Sequence, residues 1–105
     1  MNKQRRKSLK EQAEKLEELR GEMSSLVEQL EGVKSELESI KDEEESAFDN
    51  MPESLQESDK GSAMQEALNA MEDAIDGVDT IICDVSGTDD NFQDAIDRIN
   101  EAIEG

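Results

Sequence analysis

Leu9, Leu16, Met23, Leu30 and Leu37 recur every seven residues, and Leu19, Leu26, Val33 and Ile40 form a second series three residues after the first. Alternating steps of three and four place apolar side chains on one stripe of an α-helix, and sustained over about four to five heptads they are incompatible with strand alternation. Gln12 is the polar member of the second series near the start. Gly21 and Gly32 fall at outer positions, where they lower helix propensity without disturbing the packed face. Ser8-Leu9-Lys10-Glu11 reads as a capping box, so the helix is predicted to begin near Ser8, or earlier if the basic residues before it join. A helix from Ser8 to Ser46 would be about 55–60 Å long. The shorter helices that follow cannot cover that length on both sides. The nine residues of the two series are therefore expected to form a seam that partly meets another copy or another protein. Glu36 and Lys41 could pair between parallel chains, while Lys15 and Arg20 would repel in that register. Both orientations stay open.

The pattern breaks in "DEEESAFDNMPESLQESDKG", Asp42 to Gly61. Glu44 occupies a position of the first series and ends its apolar run. Pro52 cannot continue a helix interior and disfavours helical geometry at Met51. Asp49 and Asn50 suit a cap, and Pro52 with Glu53 suits a first turn. "PESLQES" is predicted to be a short helical turn ended by Gly61. Phe48, Met51 and Leu55 gather at this bend, either as a plug for the end of a helical hairpin or as an apolar anchor for a partner.

Ser62-Ala63-Met64-Gln65 reads as a second capping box. The next helix carries Met64, Leu68, Met71, Ile75, Val78, Ile82 and Val85, again in steps of three and four, with Ala67, Ala74 and Ile81 widening the stripe. A wide stripe suits a helix with two neighbours rather than one. Ser86-Gly87-Thr88-Asp89-Asp90 is predicted to be a turn, followed by a helix with Phe92, Ala95, Ile96, Ile99, Ala102 and Ile103 on its apolar face. The fold class is thus all-α: a long heptad-repeat helix followed by a shorter helical hairpin, in a coiled-coil or helical-bundle oligomer. The expected segments are a basic N-terminal arm over 1–7, a long coiled-coil helix over 8–48, a capped turn with a short helix over 49–61, and an acidic two-helix segment over 62–105 packing on the first helix.

Charge is unevenly placed. Residues 1–41 hold nine basic and nine acidic residues, whereas residues 42–105 hold twenty acidic residues against Lys60 and Arg98, which gives the chain its net charge of −18. Such a surface repels nucleic acid and anionic membranes and attracts basic surfaces. Lys3, Arg5, Arg6, Lys7 and Lys10 crowd the start, but no aromatic residues are interleaved for base stacking. Direct nucleic-acid binding is not expected. No apolar run approaches the length of a membrane span, and no apolar segment follows the basic start as in a signal peptide. A cytoplasmic location in a bacterial host cell is expected.

The chain has no histidine, which removes the commonest general base and metal ligand. Cys83, the single cysteine, lies in "TIICDV" and is expected to be a buried structural thiol. "DVSGTDDNFQD" lacks the glycine and glutamate of a calcium loop: with Asp84 first, Asp89 stands sixth and Ala95 twelfth. No catalytic residues, metal or cofactor are expected. The candidate contact residues are carboxylates off the apolar stripes: Glu66, Glu72, Asp73, Asp76 and Asp79 on one helix, Asp94 and Asp97 on the next. Two acidic helices side by side would approximate the phosphate density of DNA; a solvated face conferring solubility is the plainer reading.

The runs "NKQRRKSLKEQAEKLEEL" and "DEEESAFDNMPESLQESDKGSAMQEALNAMEDAID", sharpest over "EEESAFDNMPESLQ", resemble small acidic helical proteins encoded by prophages and other mobile elements of Gram-positive bacteria. The resemblance spans most of residues 2–76 and carries no residue roles. It implies a mobile-element setting, in which small acidic proteins block DNA-binding host or defence enzymes. The favoured expectation is a non-enzymatic homodimer or higher homo-oligomer whose acidic helices inhibit a basic, DNA-binding protein. Two alternatives stand beside it: a structural assembly module in which the seam does the work, and a small regulator that uses the basic arm on DNA.

Overall fold

The computed structural model describes residues 2–105 and is all-α, with no strand among the described residues. Helix α1 spans Lys3–Asp49, α2 Glu53–Gln56, α3 Asp59–Gly87 and α4 Asp89–Glu104. Met1, the first residue of the expected arm, lies outside the described residues. The rest of that arm is not separate from the helix. The Asn2 side chain accepts the Arg5 amide at 2.8 Å and caps α1, so helix geometry begins five residues before Ser8. Nothing between Lys3 and Ser8 breaks a helix, and an asparagine cap already satisfies the first turn.

The chain forms two compact units, one joining the chain up to Glu28 with Cys83–Gly105, the other Gln29–Ile82. In the second unit α1 and α3 run antiparallel: Lys34 pairs with Asp79, and further along Lys41 and Glu45 share an open groove with Gln65, Leu68 and Glu72. Ile75 is buried at the centre of this seam, at 9% exposure, with Leu30, Leu37, Met71 and Val78 half-buried. In the first unit Ala13 of α1 and Ile96 of α4 are buried, with Leu16, Met23, Phe92 and Ile99 half-buried.

The bend closes the second unit. Pro52, with φ −57° and ψ 145°, stands immediately before α2, and its carbonyl accepts the amides of Leu55 and Gln56 at 2.9 and 3.0 Å. The Gln56 side-chain amide donates to the Phe48 and Met51 carbonyls at 2.9 and 3.1 Å, satisfying groups that the end of α1 would leave bare. Asp49 is the last residue of α1 rather than a cap. Ser58, not Ser62, stands at the start of α3: its hydroxyl donates to the Leu55 carbonyl and accepts the Gly61 amide at 3.4 Å. Ser62 lies inside the helix because the turn delivers the chain to Asp59 already in position. Gly61 is buried there, and a Cβ on it would stand 2.0 Å from the Gln56 carbonyl oxygen. Only glycine admits this approach of α2 to α3.

The turn expected over Ser86–Asp90 is nearly absent. α3 runs through Gly87, and Thr88 keeps helical dihedrals of φ −76° and ψ −14°. Its amide bonds the Val85 carbonyl at 3.1 Å, its hydroxyl donates to the same carbonyl at 2.6 Å, and the Phe92 amide bonds the Thr88 carbonyl at 3.0 Å. The threonine side chain bonds backward instead of capping forward, so the helix tightens for one residue and resumes.

Candidate functional site

The buried face of α1 is not the seam read from the sequence. Going down the helix, the residues withdrawn from solvent are Leu9, Ala13, Leu16, Arg20, Met23, Val27, Leu30, Lys34, Leu37, Lys41, Glu44 and Phe48, with Leu19 beside them. These are the first heptad series and the positions four residues after it. The chain's own helices cover this face. Leu26, Val33 and Ile40 of the second series are left exposed. On α3 the same division holds: Met64, Leu68, Met71, Ile75, Val78 and Ile82 face the seam, while Ala67, Ala74 and Ile81 are exposed. The second neighbour that the wide stripe suggested is not present within the unit.

The covered series explains the cations. Arg20 and Lys34 lie four residues after Leu16 and Leu30, at the edge of the seam, where their stems pack and their heads reach acid. Lys34 Nζ lies 2.7 Å from Asp79 Oδ1, and this hydrogen bond holds the ammonium above its ordinary range. In the other unit Arg20 grips Asp89 with Nε and Nη2 at 2.6 and 2.8 Å and donates to Gln93 as well. That fork holds the Asp89 carboxyl below its usual range, against the opposing effect of desolvation. Beside it an open cavity of about 250 Å³ is lined by Met23, Val27, Val85 and Phe92.

The acidic candidates separate into two groups. Asp79 is half-buried and bound to Lys34; Asp94 lies 3.7 Å from Arg98, and Asp97 accepts the Gln93 amide at 2.8 Å. Glu66, Glu72, Asp73 and Asp76 are exposed and join none of the ion pairs found among the described residues. Glu66–Asp79 belongs to one unit and α4 to the other, each with a different half of α1.

Three further expectations meet the structure. Phe48 and Met51 are half-buried at the bend, as helix-end packing requires, but Leu55 is 45% exposed. Cys83 is exposed, not buried. Ile82 and Val85 take the seam positions in "TIICDV", which turns Cys83 outward. Lys3, Arg5, Arg6, Lys7 and Lys10 are exposed on the first turns of α1. No helix among the described residues is long and apolar enough to cross a membrane. No protein family, curated protein or solved structure matches the chain.

Proposed function

We propose that this is a non-enzymatic binding protein of a phage or mobile element, in which α3 engages a basic, DNA-binding protein and inhibits it. The observation that carries the reading is the set Glu66, Glu72, Asp73 and Asp76, exposed on one helix and joined to none of the chain's cations among the described residues. Carboxylates three or four residues apart on a helix lie about 5–6 Å from one another. A basic groove built for phosphates meets a comparable spacing of charge there. Asp79, Asp94 and Asp97 are less available, since each is held by a residue of its own unit. The contact set therefore narrows to the first four.

The test is capture of partners from nuclease-treated bacterial lysate, followed by competition. A DNA-binding protein released at moderate salt and displaced by added DNA is the expected result. The variant Glu66→Lys, Glu72→Lys, Asp73→Lys, Asp76→Lys should lose that partner with its helicity intact. Unchanged binding by this variant would sink the charge reading. The second reading, an assembly module, is favoured by the exposure of Leu26, Val33 and Ile40. It expects apolar substitutions on α1 to abolish function and charge reversal on α3 to leave it.

A further inference from the structure

Both ends of α1 carry the charge that a helix disfavours there. Aligned peptide dipoles make a helix positive at its N-terminus and negative at its C-terminus, so acids stabilise the first turn and bases the last. α1 has no acid in its first turn and no base in its last. Lys3, Arg5, Arg6, Lys7 and Lys10 fill its first two turns instead, and Asp42, Glu43, Glu44, Glu45 and Asp49 its last two. Lys3, Lys7, Lys10, Asp42, Glu45 and Asp49 are all exposed and join none of the ion pairs found among the described residues. Residues that break a local stabilising rule with no return inside the chain are where function is expected.

The spacing of the two sets matches. The steps from Lys3 to Lys7 to Lys10 are four and three, and the steps from Asp49 back to Glu45 and Asp42 are four and three as well. In the seven-residue repeat Lys3, Lys10 and Glu45 stand one place after the first series, and Lys7, Asp42 and Asp49 five places after it. Both sets therefore lie on one stripe of α1, off its covered face. We infer that the cationic start of α1 is a docking surface for the acidic end of α1 in a second copy, laid antiparallel, with Lys3 opposite Asp49, Lys7 opposite Glu45 and Lys10 opposite Asp42. Antiparallel contact also sets the positive end of one helix dipole beside the negative end of the other. Charge selects this occupant over a nucleic acid. The stripe continues from Lys10 into Glu14 and Glu17, so a phosphate backbone tracking it would soon meet like charge. The acidic end lies in Gln29–Ile82, where sixteen acidic residues stand against Lys34, Lys41 and Lys60, and it draws cations. Glu14 and Glu38, next inward on the stripe, would stand opposite each other and limit the match to the three pairs. Exposed ion pairs are individually weak, so the association is reversible and salt-dependent. The contact does not use the carboxylates of α3 and is independent of whatever those bind.

The test is the mass of the pure full-length chain in solution, measured by sedimentation equilibrium across a range of concentrations at low and high salt. The expected result is a mass that rises above 11.7 kDa with concentration at low salt. It should return to that value at about 1 M salt, where the screening length is roughly 3 Å. Two charge-reversed variants locate the contact. One carries Lys3→Glu, Lys7→Glu and Lys10→Glu, the other Asp42→Lys, Glu45→Lys and Asp49→Lys. Each alone should stay at 11.7 kDa at low salt with its helical circular dichroism retained. Mixed in equal amounts they should associate, because the reversed start of one then faces the reversed end of the other. Reversal moves the net charge of −18 by six units in either direction, so both variants remain net acidic and overall charge does not draw them together. A chain that stays monomeric at low salt, an association indifferent to salt, or a mixture no heavier than its components would overturn the inference. A monomer that binds a short DNA duplex through the same lysines would overturn it in favour of phosphate. Should a reversed variant lose its helicity, the neutral variant Lys3→Gln, Lys7→Gln, Lys10→Gln decides: it should remain monomeric where the unaltered chain associates, and equal masses would reject the contact.

Discussion

Val33 and Lys34 are consecutive residues on the two flanks of the α1–α3 seam, and the chain treats them differently. Lys34 lies over the seam edge and is held by Asp79; Val33, one residue earlier, meets solvent over half its surface. Both flanks rest on the same seven-residue repeat. One carries cations on α1 where α3 offers acid, and the other carries apolar groups where α3 offers alanines. A helix pair with a single neighbour needs only a narrow stripe, and the residues beyond it are ordinarily polar. The closed flank follows that rule, while the bare flank departs from it over three turns. The period of an apolar stripe places a helix on its seam, but its width exceeds what the neighbour within the unit covers.

Two isoleucines on α3 carry the largest expected difference. Ile75 is 9% exposed on the seam and Ile81 47% exposed on the bare flank. Ile75→Ala should destabilise by about 2–4 kcal/mol, the combined cost of lost burial and a residual cavity. Ile81→Ala should cost under about 1 kcal/mol in an isolated chain, in keeping with a surface position. If a second copy covers that flank, the cost of Ile81→Ala becomes concentration-dependent and grows where the dimer is the folded state. Thermal melts of both variants at two widely separated protein concentrations read the distinction directly.

Both flanks depend on the register set at the bend, and a glycine holds it. Gly61→Ala places a methyl within 2.0 Å of the Gln56 carbonyl oxygen, so α2 must shift away from α3. A loss of about 1–3 kcal/mol is expected, with the hydrogen bonds from Gln56 to Phe48 and Met51 weakened in consequence. Gly21→Ala is the counterpart: its Cβ meets nothing within 4 Å, and the substitution should stabilise by up to about 1 kcal/mol. Urea unfolding of the pair separates a glycine required by packing from one that is merely tolerated.

The all-α class and the existence of the three main helices were legible from periodicity alone, because steps of three and four persist from Leu9 to Ile40 and again from Met64 to Val85. The helix starts were not. Ser8 and Ser62 satisfy the capping pattern, but a cap acts only where the chain enters the helix, and Asn2 and Ser58 stand there instead. The seam was half legible. Two apolar series on a helix do not say which one the chain's own helices will cover. Arg20 and Lys34 were the missed signal: cations four residues after apolar positions mark the edge facing Asp89 and Asp79. The local partners of Asp94 and Asp97 were hidden for a related reason, since composition counts carboxylates without showing that Arg98 and Gln93 lie within reach. Cys83 was misplaced because an apolar run on a helix includes residues that point outward.

The smallest expected effect separates the ion pairs of the two units by pH. Lys34 gains a partner on folding, and its hydrogen bond to Asp79 raises its folded pKa above the ordinary 10.5. Its contribution is therefore fully present below about that pH and is lost as pH rises through the folded value. Asp89 behaves with the opposite sign. Arg20 lowers its folded pKa below the ordinary 3.8, so its contribution is present above that pH and disappears as pH falls through the folded value. Melting curves of Lys34→Met should lie slightly below those of the unaltered chain at neutral pH and merge with them at the alkaline end. Curves of Asp89→Asn should merge at the acid end instead. Both gaps should shrink in high salt, because all four partners are reached by solvent. A Lys34→Met gap that persisted through the alkaline range would show that the lysine stem, packed along the seam, contributes more than its charge.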